Sequence, residues 1–410
     1  MNVTDIKATT GNTHSTDPDG GDTMTGRQRM LTAFSLNEAD HVPVSPDLSA
    51  MVPIRLSGIP FDEAYLDGRP HNGYASATVA EAYVNAVRHY GMDGWYIYGS
   101  LKEIVPDSRP RWTERLVARK EIGRTKFMSA DTPYGPLAQR IDYFPDEPPW
   151  EIEKPIKDLR RDWPRLRSML GEKEDWKWDS IFADRDRIGE LGVYSVCVGI
   201  PQDWWFFQRQ GGYNNLFFDY VDDEEYMDEV FGFYTRRTLA FIEAAGKASP
   251  KPDEIMLGGS ASSLSASSPD LFRKYDLPFV QKAAELCRSL GMFSHLHVCG
   301  KSDQIVEMVA QDSDVQVMEP LEEEPGGNVD IATVKRKYGH KLCLKGNINT
   351  FDFMLNATPA QVEEKAKRLI DDCAYGGGFV LSTGDQCGRD TPDANLFKLV
   401  EVARTYGRYS

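Results

Sequence analysis

Histidine and cysteine are scarce in this chain, with seven and six copies among 410 residues. The cysteines are irregularly spaced, so they read as reduced thiols rather than as a disulfide framework. No run approaches the ~20 apolar residues that a bilayer-spanning helix needs. The N-terminus also lacks the charged-then-apolar pattern of a secretion signal. Cytoplasm is therefore the expected location, with no membrane partner. Basic side chains are outnumbered, 47 against 63 acidic, for a net charge of −16. That balance argues against a nucleic-acid surface, because phosphate binding needs a basic footprint.

Residues 1–23, rich in Thr, Asp and Gly, show almost no apolar periodicity and are expected to form a disordered tail. From Thr25 the pattern changes. Met30, Leu31 and Phe34 fall on one helical face. Eight β-rich runs follow, at 41–46, 93–100, 192–199, 254–259, 293–300, 315–320, 341–348 and 378–385. Helical patterns lie between most of them. The stretch 268–291 opens on Ser-Pro and closes on Gly, and Thr358 and Pro359 open another helix.

Repeated β-α alternation implies a parallel sheet, and eight units imply closure into a (β/α)8 TIM barrel, an α/β fold. An open doubly wound sheet would need a Gly-rich phosphate turn after its first strand. The stretch VPVSPDLSAM offers none. Residues 101–191 are too long for one crossover and are expected to be an insertion of β-hairpin plus helix after the second strand. Residues 24–410 are read as a single barrel domain.

In such barrels the chemistry sits at the C-terminal strand ends. Those ends carry Asp47, Ser100, Ser260, His297, Cys299, Glu319, Asn347 and Asp385, nearly all short and polar. The run FSHLHVCG (293–300) concentrates the scarce donors. Alternation puts His295, His297 and Cys299 on one face. Neighbours two apart, roughly 6.6 Å along a strand, can converge on one ion, whereas His295 and Cys299 are too far apart to share one. By itself His-x-Cys is more often a satisfied core histidine beside a small buried thiol. A metal reading needs a third ligand. Cys387, directly after the last strand and near Gly384 and Gly388, is the best candidate. One imidazole and two thiolates would make a catalytic type of zinc site with an open position. The loop carrying Cys387 must then fold over the barrel mouth, since strands five and eight are not neighbours. Cys197, Cys287, Cys343 and Cys373 read as plain core thiols.

The segments MTGRQRMLTAFSLNEADHVPVSP, TPYGPL, SSPDLFRKYDLPFVQKAAELCRSLG, HVCGKS, KGNIN and GGGFVLSTGDQCGRDTPDANLFKLVEVARTYGR occur in that order. Together they resemble the uroporphyrinogen decarboxylase-like superfamily, in particular its zinc-dependent corrinoid methyltransferases of the coenzyme M type. The resemblance implies a (β/α)8 barrel and a Zn2+ ion on His297, Cys299 and Cys387. It also implies methyl transfer between a corrinoid (methylcobalamin or a corrinoid protein) and a small thiol or similar acceptor. Zinc would hold the acceptor thiol as its thiolate.

Glu319 or Asp385 would take the second nitrogen of His297 or serve as a fourth ligand. Ser260 and Asn347 are the expected corrinoid contacts. Asp47, Trp204 and Trp205 are the expected substrate contacts, the last two lying in the aromatic stretch 201–221. The decarboxylases of the superfamily grip their substrate's carboxylates with N-terminal arginines. Here that stretch holds only Arg55. The chain also lacks an Asp-x-His-x-x-Gly cobalamin signature, so the corrinoid is expected on a separate protein or free. A carboxy-lyase and a non-catalytic metal-binding barrel are the alternatives.

Overall fold

The computed structural model describes residues 21–66, 76–99, 102–172 and 175–410. Residues 1–20 of the expected tail, and Ser100 among the expected strand ends, lie outside them. Seven of the eight runs fold as strands of one parallel sheet: β1 (Gly94–Gly99), β2 (Gly192–Gly199), β3 (Glu254–Gly258), β4 (Phe293–His297), β5 (Val317–Glu319), β6 (Cys343–Ile348) and β7 (Phe379–Thr383). Sheet order follows chain order, as successive β-α units require.

The run at 41–46 differs from the expected strand. Pro43 and Pro46 withdraw two backbone donors, and a single parallel bridge from Val44 to Leu381 of β7 is left. It is closed by Leu381 N–H to Pro43 O at 2.8 Å and Ser45 N–H to Leu381 O at 2.9 Å. On its other side, Asp93 N–H, just before β1, reaches Val44 O at 2.8 Å. One segment bonded near both edge strands requires the sheet to curl.

Local chemistry sets the helices around it. Thr25 and Gln28 cap Gly26–Phe34 reciprocally, and Met30, Ala33 and Phe34 turn inward. Thr358 and Gln361 repeat that device at Pro359–Cys373. The helix expected after Ser268 forms without a break from Pro269 to Ser289, but it contains one wider turn. A π-turn, Phe272–Asp276, precedes Leu277–Ser289, and Pro278 has no N–H to continue the α ladder there.

Between β1 and β2 the chain forms a four-stranded antiparallel sheet, Thr113–Arg119, Gly123–Thr132, Gly135–Tyr143 and Trp150–Glu153, then a helix, Leu159–Met169. A second apolar core lies here, built on Trp163, Trp205, Tyr220 and Phe231. Among the described residues no helix is long and apolar enough to cross a membrane.

Candidate functional site

Strand register assembles the site. His297 pairs with Gly258 of β3 and Glu319 of β5, and parallel partners share a face. The Nδ1 of His297 meets Glu319 Oε1 at 2.5 Å. Lys345 stands one step beyond the Met318–Leu344 pair, and its Nζ donates to Glu319 Oε2 at 2.7 Å. Glu319 and Lys345 are fully buried. Burial alone would raise the Glu319 carboxyl, but Lys345 and His297 hold it well below the ordinary carboxylate range. Burial likewise opposes a charged imidazole. The Glu319 charge and the adjacent Cys299 sulfur outweigh it and shift His297 well above its ordinary value.

A second buried pair lies one layer down. His295 Nδ1 meets Glu254 Oε2 at 3.0 Å, and Trp95 Nε1 donates to Glu254 Oε1. The indole stacks on His295 with ring centroids 4.8 Å apart. The Lys345 ammonium lies 3.9 Å from the Trp95 ring centroid, so the two layers meet at one lysine.

Glu322 and Asp385 feel the charge of His297, and Asp47 that of Lys345 and Glu319. Burial pushes Asp47 up to about 6 and Glu322 up to about 7, and it raises Asp385 as well. Asp47 accepts from Ser49 Oγ at 2.5 Å, and Glu322 from Gly300 N–H at 2.6 Å. Asp203 is buried at the start of the Pro201–Gln208 helix, where burial pushes it up to about 7. It accepts the N–H groups of Ser260, at 3.1 Å, and Ala261.

Sequence reasoning passes over Glu322, Lys345 and Asp203. The run LEEEPGG after β5 and the interior lysine of KLCLKGNI were available signals for the first two. Asp203 is adjacent to the aromatic run and carried none.

The other expected residues are placed as follows. Ser260 opens a short 3-10 turn and is half-buried. Asn347 donates from Nδ2 to Leu321 O at 2.9 Å, and its buried Oδ1 has no partner among the described residues. Trp204 is half-buried against Phe279 and Tyr234. Trp205 is fully buried in the second core and donates from Nε1 to Asp219 at 2.7 Å.

The structure brings His297 and Cys299 together but leaves Cys387 apart. Cys387 is fully buried, with its N–H on Asp47 O at 2.7 Å. Burial, with the Asp47 charge, pushes its thiol up to about 12. The trio of potential ligands that does lie within 4.8 Å, among the described residues, is Asp22, Asp40 and His41. There Asp40 is already clamped by Arg29 at 2.6 Å, and Asp22 lies 3.6–3.9 Å from Arg29, Arg404 and Arg408. That trio is an ion-pair network. For a soft divalent cation the donor chemistry at His297 and Cys299 fits: an imidazole oriented by a carboxylate, beside a thiol. Recruiting Cys387 requires its sulfur to leave the apolar core in which it is fully buried.

A family model described as uroporphyrinogen decarboxylase (URO-D) matches residues 208–406. Methylcobamide:CoM methyltransferase MtbA of Methanosarcina acetivorans is 26% identical over 218 residues, 53% of this chain and 57% of that protein. MtbA of Methanosarcina mazei is 24% identical over 216 residues, with the same coverage. The matched stretch thus spans little more than half of these relatives. Uroporphyrinogen decarboxylase of Histophilus somni is 30% identical, but over only 78 residues, 22% of its length. The solved structure of a methyltransferase from Methanosarcina mazei superposes with a TM-score of 0.63 over 93% of this chain and 99% of that one, at 16% identity, and so shares the fold. Residues 208–406, which carry β3 to β7 and with them His297, Glu319 and Lys345, are thus similar to the uroporphyrinogen decarboxylase (URO-D) family.

Proposed function

We propose that the protein is a zinc-dependent methyltransferase that moves a methyl group between a corrinoid and a small thiol or similar acceptor, in the cytoplasm. The observation that carries this reading is the His297–Cys299 pair at the end of β4, with the far nitrogen of the ring on Glu319 at 2.5 Å. The MtbA relatives, whose names state that reaction between a methylcobamide and CoM, support it further. His297, Cys299 and Cys387 would hold the ion. When bound, zinc would keep an acceptor thiol as its thiolate.

The chain's own residues prepare that site. Glu319 fixes the imidazole so that its other nitrogen is left for a ligand. Asp47, Glu322 and Asp385, whose ionisation burial opposes, stand near the Glu319 pair, and Asp385 is the second carboxyl we assign to the reaction. Ser260 and Asn347 are assigned to the corrinoid, and Asn347 Oδ1 is a buried acceptor with no partner among the described residues. Trp204 is assigned to the acceptor. The segment 41–46, bonded near both sheet edges, would be the eighth position of a closed barrel.

The carboxy-lyase alternative needs cations to hold carboxylates. Arg55 is paired with Asp393 at 2.5 Å, and Lys345 is held by Glu319. Both cations are thus already engaged by carboxylates of the chain itself.

Demethylation of methylcobalamin over a panel of thiols, with metal analysis alongside, tests the proposal. About one zinc per chain is expected, lost together with turnover in Cys387→Ser. Metal-free protein that decarboxylates a porphyrinogen would replace this reading with the lyase. Zinc without any methyl transfer would leave an accessory barrel.

A further inference from the structure

We infer that Lys345 is a positioning residue for His297, acting through Glu319 from the floor of the site. The inference rests on the reading of His297 as a metal ligand. A lysine with no exposed side-chain surface is unusual, because its charge loses all hydration. Here it is compensated from two sides. Nζ donates to Glu319 Oε2 at 2.7 Å, and it lies 3.9 Å from the centroid of Trp95.

That indole is itself immobilised by its bond to Glu254 and its stack on His295. The ammonium is therefore anchored from below and pins one carboxylate oxygen. The other oxygen, Oε1, is thereby aimed at His297 Nδ1 at 2.5 Å. Without the ammonium, both oxygens of Glu319 compete for one imidazole N–H, and the carboxylate can rotate about its last torsion. The ring then loses its fixed orientation toward Cys299. Residues that orient a metal-bound histidine in this way typically contribute 10–100-fold to metal affinity.

Cobalt(II) titration of the full chain, read by the absorbance of the bound ion, tests the inference without any turnover. Lys345→Met is expected to bind cobalt about tenfold more weakly than the wild type. Lys345→Gln, which keeps a hydrogen-bond donor, should fall between the two. The double variant Lys345→Met/Glu319→Gln should bind no more weakly than Glu319→Gln alone, because the lysine acts through that carboxylate. Unchanged affinity in folded Lys345→Met overturns the inference and leaves the zinc reading standing. Fully additive losses in the double variant overturn it too. If neither Lys345 variant folds by circular dichroism, the lysine holds the fold rather than the histidine, and the inference fails. A wild-type chain that takes up no cobalt removes the zinc reading itself and this inference with it.

Discussion

At the scale of single residues, burial decides which groups hold charge. Asp276 is enclosed by Gln202, whose backbone N–H reaches Oδ1 at 3.0 Å, and by the Ser262 hydroxyl on Oδ2 at 2.6 Å. Burial nevertheless outweighs these donors and pushes its carboxyl up to about 6. A carboxyl raised in the folded state lends stability that is complete below the unfolded pKa of about 4 and lost as pH climbs through the folded value. A shift of that size corresponds to about 3 kcal/mol. Asp276→Asn cannot ionise. Its stability relative to the wild type, from denaturant melts, is therefore expected to improve by up to about 3 kcal/mol between pH 4 and pH 7. A difference that stays constant over that window would show that the carboxyl is not shifted. Trp205 teaches a related lesson. Four aromatics in sequence could not all face a ligand, and the one buried deepest completes a core with Trp163 and Asp219.

At the scale of elements, close backbone approach sets where the strands can pair. Gly94 and Gly192 face each other in register at the start of β1 and β2. A Cβ added at Gly192 would lie 2.1 Å from the Gly94 carbonyl oxygen. Gly192→Ala is therefore expected to lose at least ~3 kcal/mol of stability, or not to accumulate as folded protein. Gly388→Ala, with nothing within 4 Å of the new methyl group, should melt like the wild type. Similar melting of both variants would contradict the pairing of β1 with β2. Much at this scale was legible in advance. Seven strand runs matched because alternating and β-branched patterns are local. The run at 41–46 carried the same apolar signal, yet its two prolines limit it to bridges. The π-turn after Leu271 was likewise hidden behind a continuous helical pattern.

At the scale of the molecule, the apolar core sets what an ion could add. The main core runs from the Gly26–Phe34 helix through the sheet to the Asp393–Thr405 helix, and Cys387 is the one proposed ligand that belongs to it. Chelation is expected to lower Tm, through a loss of stability set by mass action at about 2.7 kcal/mol where free zinc had stood at 100 times its Kd. Far-UV circular dichroism at 25 °C should not change. Collapse of the fold on chelation, as in a zinc finger, would show that the ion is structural. No change in Tm would show that the native state binds none. The candidate site was only partly legible at this scale. Scarcity and two-residue spacing singled out His297 and Cys299. Their supports, Glu319 and Lys345, lie on two further strands, 22 residues from His297 and then another 26 along the chain.

The amino-acid sequence by itself determined the alternation of strands and helices, the inward face of β4 and the gathering of polar groups at strand ends. These follow from side-chain periodicity over a few residues, which needs no knowledge of neighbours. Only the tertiary structure decided that Glu319 rather than Asp385 takes the far nitrogen of His297, that Lys345 stands behind it, and that Cys387 is buried in the core. Those contacts depend on the register between separate strands and on the path of a loop across the mouth. Packing of the whole chain sets both, and no local pattern encodes them.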